Sequence, residues 1–423
     1  MTAGRPRRGV GGHAYALLGA VGILLVVGLV MVYSASAVAD YVRYEDSAYH
    51  IKRQALYVLA GLAALVVASR WDFRERRGGH GATLRRIVAW SVWGVALAGL
   101  AAVEVAGVGK YGATRSIDLG PVFVQPSEFA KLGCIMVAAV LLVDWREQTI
   151  TGKQFLLRLA AVLVPVIVFI MAQPDMGTTM SIVIVMVVML WLGGVKGRWF
   201  TAIGAVGVPL AALMVWRAGY RVERISAFLD PWADPTDSGY QIIQSLYAFG
   251  SGGLTGVGLG LSRQKFFYLP AAHNDFILAI IGEEAGLVGT LLVVAAFGVV
   301  AYAGMRIAVG CRDPFGRLLA GGLTGMIIIQ ALMNMAAVTH LMPITGIPLP
   351  FVSAGGSSMV LTLASVGLII AVSRYSDGSA RIALVRQTKT RGSERARTDE
   401  RRRDGGTHLP GARGRGQASR RRA

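Results

Sequence analysis

Residues 14–37 read AYALLGAVGILLVVGLVMVYSASA, an unbroken apolar run without a single charged side chain. A hydrocarbon core about 30 Å thick is crossed by roughly 20 helical residues, so this run is long enough to span one. The run follows a basic start, MTAGRPRRGVGGHA, and exceeds the roughly 7–15 apolar residues of a signal-peptide core, so it reads as a retained first span. Further apolar windows follow along the chain. They predict helices at about 13–37, 53–69, 87–106, 126–143, 155–173, 176–194, 198–216, 275–303, 316–337 and 354–373. The expected fold class is therefore an all-α polytopic membrane protein with about ten transmembrane helices.

Composition agrees. The 423 residues are 54% hydrophobic and only 16% charged, with a mean hydropathy of +0.54, whereas a soluble domain carries about a quarter charged residues. This excludes an ordinary soluble globule. The net charge of +19 comes from 43 Lys and Arg against 24 Asp and Glu, and 15 of those cations but only five of the acids lie after Ser373. That excess marks 374–423 as a basic, disordered cytoplasmic tail suited to anionic lipid headgroups. No nucleic-acid recognition module accompanies it, so no nucleic-acid partner is expected. The basic residues also orient the chain: with residues 1–12 as a cytoplasmic N-terminus, most arginines of the short loops fall inside, and ten spans return the tail inside as well. The membrane domain then covers 13–373. Cys134 and Cys311 are too few for a disulfide framework.

A ten-span chain is most often a transporter, but no internal repeat of hydropathy is evident. Instead the polar segments gather in three outside loops, 107–125, 217–274 and 338–353, which points to chemistry on the outer face. The first loop carries Arg115 and Asp118 and leads into a span opening Pro126-Ser127-Glu128. Glu128 and Lys131 share a helix face about one turn into the membrane, where an ionisable pair is a functional candidate. Asp175, in the break Gln173-Pro174-Asp175, is placed to cap the next helix.

The long loop, 217–274, contains an apolar amphipathic stretch, YQIIQSLYAF, that is expected to lie on or dip into the outer leaflet. Its glycines match no dinucleotide or P-loop fingerprint. The loop ends Pro270-Ala271-Ala272-His273-Asn274-Asp275-Phe276, with Asp275 at the mouth of the eighth span, where partial burial would raise its pKa and suit it to act as a general base. Arg263, Lys265 and His273 nearby could neutralise a phosphate-bearing ligand. Glu283 and Glu284 lie about 12 Å deeper; being about a hundred degrees apart on the helix, they are expected to serve different roles. The last loop ends in Gly-Gly-Ser-Ser, where amides and the Ser357 hydroxyl could hold sugar or phosphate oxygens.

Taken together and in order, the strings MVYSASA, GATRSIDLGPVFVQPSEFAKL, QPDMGTT, the run from Gly239 to Gly286 and PITGIPLPFVSAGGSS resemble the SEDS family (shape, elongation, division and sporulation proteins) over about 30–373. Within it the run ending LPAAHNDFILAIIGEE is most similar to the division branch. The resemblance implies ten helices and a peptidoglycan glycosyltransferase that polymerises lipid II on the outer face of the bacterial cytoplasmic membrane, at the division septum. It implies a class B penicillin-binding transpeptidase and other division proteins as partners, besides membrane lipids. It places the family's essential aspartate on Asp275, and carries family features onto Glu128, Lys131 and Asp175. The chain departs from the family's usual pattern at Ser116, where Trp is common, and at Ala354, where an aromatic residue is common. A divalent cation (Mg2+ or Mn2+) is an expected aid to the leaving diphosphate, and no organic cofactor is expected. An elongation-type polymerase, a lipid II flippase and a non-enzymatic scaffold for the transpeptidase are the alternatives.

Overall fold

The computed structural model describes residues 11–72, 80–106, 108–110, 113–118, 123–201, 204–205, 219–270 and 272–374. The basic start (residues 1–10), most of the seventh expected span (198–216) and the tail beyond 374 lie outside the described residues. What is described is an all-α membrane bundle. Its helices are α1 (Gly12–Tyr44), α2 (Tyr49–Ser69), α3 (His80–Ala106), α4 (Pro126–Arg146), α5 (Gly152–Ala172), α6 (Met176–Leu192), α7 (Gly219–Leu229), α8 (Tyr240–Gly252), α9 (Ile277–Gly310), α10 (Pro314–Val338) and α11 (Gly356–Ser373).

Eight of these, α1 to α5 and α9 to α11, are long and apolar enough to cross a membrane. They match eight of the ten expected spans. The sixth, α6, has 17 residues, about 26 Å of helix, slightly short of a full crossing. The loop expected at 107–125 is partly ordered instead. It holds three short antiparallel strands, β1 (Val108–Lys110), β2 (Ala113–Asp118) and β3 (Phe123–Val124), in the order β1-β2-β3.

The helix ends follow local chemistry. Pro126 and Pro314 occupy first-turn positions of α4 and α10, where a missing N–H costs nothing. Asp313 caps α10 by accepting from the Gly316 amide at 2.6 Å, and Thr151 with Gln154 forms a capping box at the start of α5. α1 ends at Glu45 in the left-handed region, turning the chain so that Tyr44 stacks on Tyr49 at 3.9 Å between ring centroids.

The axis of the bundle is α4. Of residues 126–144 only Phe129 escapes full burial, and α3, α5, α6, α10 and α11 surround it. Close approach rests on small residues: a Cβ on Gly133 would stand 2.8 Å from the Trp93 Cα, so any larger residue would push α3 away. Such packing, rather than water exclusion, holds helices together in lipid. The outer helices keep apolar faces exposed, as at Leu56, Leu59 and Val67 on α2 and Ile87 and Val95 on α3, the expected dress of a lipid-facing surface.

α9 breaks its helical geometry at Gly286, with φ 66°. The groups this releases are taken up by the chain after α8. Leu287 and Val288 donate to the carbonyls of Gly253 and Leu254 at 3.0 and 3.2 Å, while Val257 and Gly258 donate to those of Glu283 and Glu284 at 2.9 and 3.1 Å. Irregular backbone is tolerated in a membrane only when so satisfied. Gly286 sits about 14 Å along α9 from its start, so the long loop is re-entrant and docks at that level.

Glu283 and Glu284 complete the dock, and both serve this one segment, contrary to the separate roles expected for them. Glu283 accepts from the Arg263 amide at 2.9 Å and from the Ser262 hydroxyl; Glu284 accepts from the amides of Gly260 and Ser262 at 2.9 and 3.3 Å and from Ser34 of α1 at 2.6 Å. The hundred-degree divergence does not separate them, because the segment passes across both.

Candidate active site

Asp275 lies in the turns just before α9, half-buried, with Phe276 as the first flanking residue of that helix. Four chain segments meet there. Asn334 of α10 donates from Nδ2 to the Asp275 carbonyl at 2.7 Å and to the Ile347 carbonyl at 2.8 Å. Gly346, with φ 70°, lies against the carboxylate: a Cβ on it would stand 3.7 Å from Asp275 Oδ2 and 3.9 Å from Arg115 Nη1. The left-handed backbone is what favours glycine there, since a Cβ would make only ordinary van der Waals contact with the two groups.

Arg115 reaches in from β2. Its guanidinium donates to the carbonyls of Pro174 and Gln173 at 2.6 and 3.3 Å, tying the strand to the turn before α6. Asp175 caps α6, accepting from the Thr178 amide and hydroxyl at 3.0 and 2.8 Å, so the expected capping role is its observed contact. Gly177 in the next turn faces Thr345, where a Cβ would collide with its carbonyl. Arg224 of α7 donates to the carbonyl of Ile344 at 3.1 Å. Arg115, Arg224, Asp275 and Asn334 therefore converge on the segment 344–347, which Gly177, two residues after Asp175, also faces.

Burial pushes the Asp275 carboxyl up to about 6, with Asp175 adding to the rise and Arg115 and Arg224 opposing it. A carboxylate in that range is poised to take a proton near neutral pH. Around it, Asn334 Oδ1 and Thr345 Oγ1 are buried without a hydrogen-bond partner among the described residues, which leaves acceptor capacity beside the base.

The remaining candidates fall elsewhere. His273 packs its ring against His50 at 4.5 Å, and its carbonyl accepts from Ala354 at 3.0 Å. Burial, with the charge of His50 next, lowers its pKa to about 4, so it is neutral at pH 7 and adds no cation. His50 is in turn bound to Asp40, a nearly inaccessible carboxylate of α1. Lys265 is committed to Glu284 at 3.3 Å and to the Gly260 carbonyl, which places its charge in the dock of the re-entrant loop. Arg263 contributes its backbone to that dock while its residue surface is exposed. Glu128 and Lys131 pair with each other at 2.6 Å, both buried. Ser357 accepts from the Gln125 amide at 3.1 Å, joining the end of β3 to the start of α11.

Sequence reasoning passed over Asn334, Arg224 and Gly346. Asn334 had a usable signal, since a carboxamide inside an apolar span needs a partner. Arg224 had none, for an arginine in an amphipathic loop helix reads as a surface charge. No three His, Cys, Asp or Glu side chains among the described residues are arranged to hold a metal ion.

Comparison with known proteins bears on the same region. The FtsW/RodA/SpoVE family model, described as a cell cycle protein, matches residues 15–378. The chain belongs to the FtsW/RodA/SpoVE family. Among its relatives, stage V sporulation protein E of Bacillus subtilis (strain 168) is 41% identical over 357 residues, covering 84% of this chain and 95% of that protein. The probable peptidoglycan glycosyltransferase FtsW of Geobacter sp. (strain M18) is 40% identical over 383 residues, covering 88% of this chain and all of that protein (100%). Two solved chains share the fold at 26% identity, each covered to 98% by 86% of this chain. One belongs to a peptidoglycan synthase complex described as coordinating polymerization and crosslinking, with a TM-score of 0.69. The other is the rod shape determining protein RodA of Thermus thermophilus, with a TM-score of 0.61. The FtsW/RodA/SpoVE match takes in Arg115, Asp175, Asp275 and Asn334 alike.

Proposed function

We propose that this peptidoglycan glycosyltransferase joins lipid II units into β-1,4-linked glycan strands on the outer face of the cytoplasmic membrane, with Asp275 as the general base. The observation that carries the reading is a half-buried carboxylate held near pH 6 at the mouth of a membrane helix. Asp275 takes the proton from the acceptor's GlcNAc 4-hydroxyl as that oxygen attacks the anomeric carbon of the donor MurNAc. The bond to undecaprenyl diphosphate breaks on the opposite side, and the configuration inverts. A single carboxylate suffices because the leaving group already bears negative charge and needs neutralisation more than protonation.

Arg115, fixed by the carbonyls of Gln173 and Pro174, supplies positive charge beside the base. Lys131 is paired with Glu128 and Lys265 with Glu284, so those two cations support the framework. A polyprenyl-linked substrate requires a site reached from lipid, which accounts for chemistry set among helices. The kinship with an FtsW protein favours a septal role, and the likeness to a chain from a complex that couples polymerization to crosslinking favours a class B transpeptidase partner.

The test is incubation of the purified full-length chain, with and without its cognate transpeptidase, with labelled lipid II, and separation of glycan strands on a gel. Polymer that disappears in Asp275→Ala is the expected result. Absence of polymer under both conditions, with lipid II translocated across vesicles instead, would overturn it.

A further inference from the structure

Asp40, near the C-terminal end of α1, is a carboxylate that the mechanism does not use, and it is only 1% exposed. Both of its oxygens are occupied. Oδ2 accepts from the Ser36 hydroxyl at 2.9 Å and from the His50 amide at 3.0 Å, while Oδ1 takes the His50 ring at Nδ1. A carboxylate only accepts, so His50 carries a hydrogen on Nδ1. The imidazole is thereby held in one orientation at the start of α2. Its centroid stands 4.5 Å from that of His273, with the ring planes 47° apart.

Closing α1 onto α2 does not call for such a pair. The connection from Tyr44 to Tyr49 is short, and the two tyrosine rings stack across it. A buried carboxylate is costly to desolvate, and an apolar pair of similar volume often packs as well, so the ionisable pair needs a further reason. His273 supplies one. It lies two residues before Asp275, in the turns that precede α9, and its carbonyl accepts from the Ala354 amide at 3.0 Å. Gln54, one helical turn after His50 and so on the same face of α2, donates to the carbonyl of the neighbouring Ser353 at 3.1 Å. One face of α2 thus grips the His273–Ala354 contact from both sides, at the side chain of the first and at the backbone beside the second.

We propose that His50, oriented by Asp40, is a positioning residue for the general base: its ring braces His273 and so sets the turn that carries Asp275. The inference rests on the glycosyltransferase reading with Asp275 as base, and deepens it. Among the described residues, the Asp275 end of the turn is held through its carbonyl by Asn334, and the His273 end by Ala354 and by the His50 ring. Hydrogen bonds to carbonyls fix where the chain passes. A side chain packed on a rigid ring keeps the chain from rotating about those bonds. Asp275 works from a turn rather than from within a helix, so its geometry has to come from locked neighbours. An error of about 1 Å in such placement costs roughly a hundred-fold in rate. Asp40 and His50 act through His273, not on the substrate.

The experiment uses the full-length protein in lipid vesicles with labelled lipid II. His50→Asn keeps an N–H donor for Asp40 and removes the ring, and His273→Ala removes the surface that the ring braces. Each is expected to lower kcat about ten-fold or more. KM for lipid II should change little, the pattern of an interaction that matters in the transition state. The double variant His50→Asn/His273→Ala should be no slower than the slower single variant, because both substitutions remove one contact. The pair Asp40→Ala/His50→Phe restores a ring without a buried charge and should recover most of the lost kcat. Hydrogen exchange across residues 272–276 should quicken in both single variants and return towards wild type in the ring-restoring pair.

Wild-type kcat in a folded His50→Asn protein, or losses that multiply in the double variant, would overturn the proposal. So would a ring-restoring pair as slow as His50→Asn. Should His50→Asn fail to fold, His273→Ala decides: wild-type kcat and exchange there would show that the contact positions nothing. If the wild-type protein makes no polymer, or Asp275→Ala polymerises normally, the catalytic reading fails on its own, and the exchange comparison still decides whether His50 braces the turn.

Discussion

Asn334 holds Asp275 by its backbone: a single carboxamide nitrogen bridges the carbonyl before α9, at 2.7 Å, to the carbonyl of Ile347, at 2.8 Å. The base is thereby fixed to the loop that carries Gly346, and its carboxylate is left for chemistry. Asn334→Asp, nearly the same shape, removes both donations and orphans two carbonyls, at a cost of about 1–3 kcal/mol each. Kinetics should show kcat reduced about ten- to hundred-fold, the order expected for a misplaced catalytic group, with KM for lipid II little changed. Unaltered kcat in folded protein would show that the base is held by other means.

The acidity of Asp275 sets a pH dependence. The base is active when ionised, so kcat/KM should rise with pH through about 6. Arg115 is the larger of the two opposing cationic influences on this carboxyl. Arg115→Gln should therefore raise its pKa and move the acid limb above that of wild type, lowering activity most at mildly acidic pH. A limb that stays put or moves down would detach Arg115 from the base.

Glu128 and Lys131 make the most buried ion pair of α4. Lys131→Met leaves Glu128 as an uncompensated buried charge, a loss of about 3–5 kcal/mol. Thermal unfolding in detergent should register it. The double variant Glu128→Gln/Lys131→Met should recover much of that loss. A single variant as stable as wild type would argue that Glu128 is neutral in the fold.

Glu284 accepts from Ser34, from two amides of the re-entrant segment and from Lys265. Glu284→Gln puts an amide where donors converge. Local opening of the dock should become easier by about 2 kcal/mol or more, read as faster hydrogen exchange across residues 253–265. Exchange equal to wild type would mean that the backbone ladder to α9 is sufficient alone.

The spans were legible because each is a continuous apolar run, as from Ala14 to Ala37, and local caps such as Asp175 follow from the polar breaks between runs. Asp275 was legible by its place at a span mouth and by its motif. What escaped is non-local. Arg224 meets Ile344 across 120 positions, and Ser34 meets Glu284 across 250; no period or spacing in the chain announces such pairs. Gly286 looked like one more glycine in a membrane helix, although the kink at it gives the long loop its place. The strands of 108–124 were missed because they are only two to six residues long and lie between spans.

The kink at Gly286 also constrains how the molecule is made. Among the described residues, the carbonyls of Gly253 and Leu254 find their donors at Leu287 and Val288, each 34 positions later in synthesis (287 − 253 and 288 − 254). Until α9 is threaded, the segment after α8 has no partner for these groups and cannot settle at membrane depth. Insertion of this half of the protein is thus an ordered event, in which the later helix completes the earlier loop. A ribosome paused before residue 287 would hold a chain that already carries Asp275 but still lacks Asn334 and Ile347, the residues that fix it.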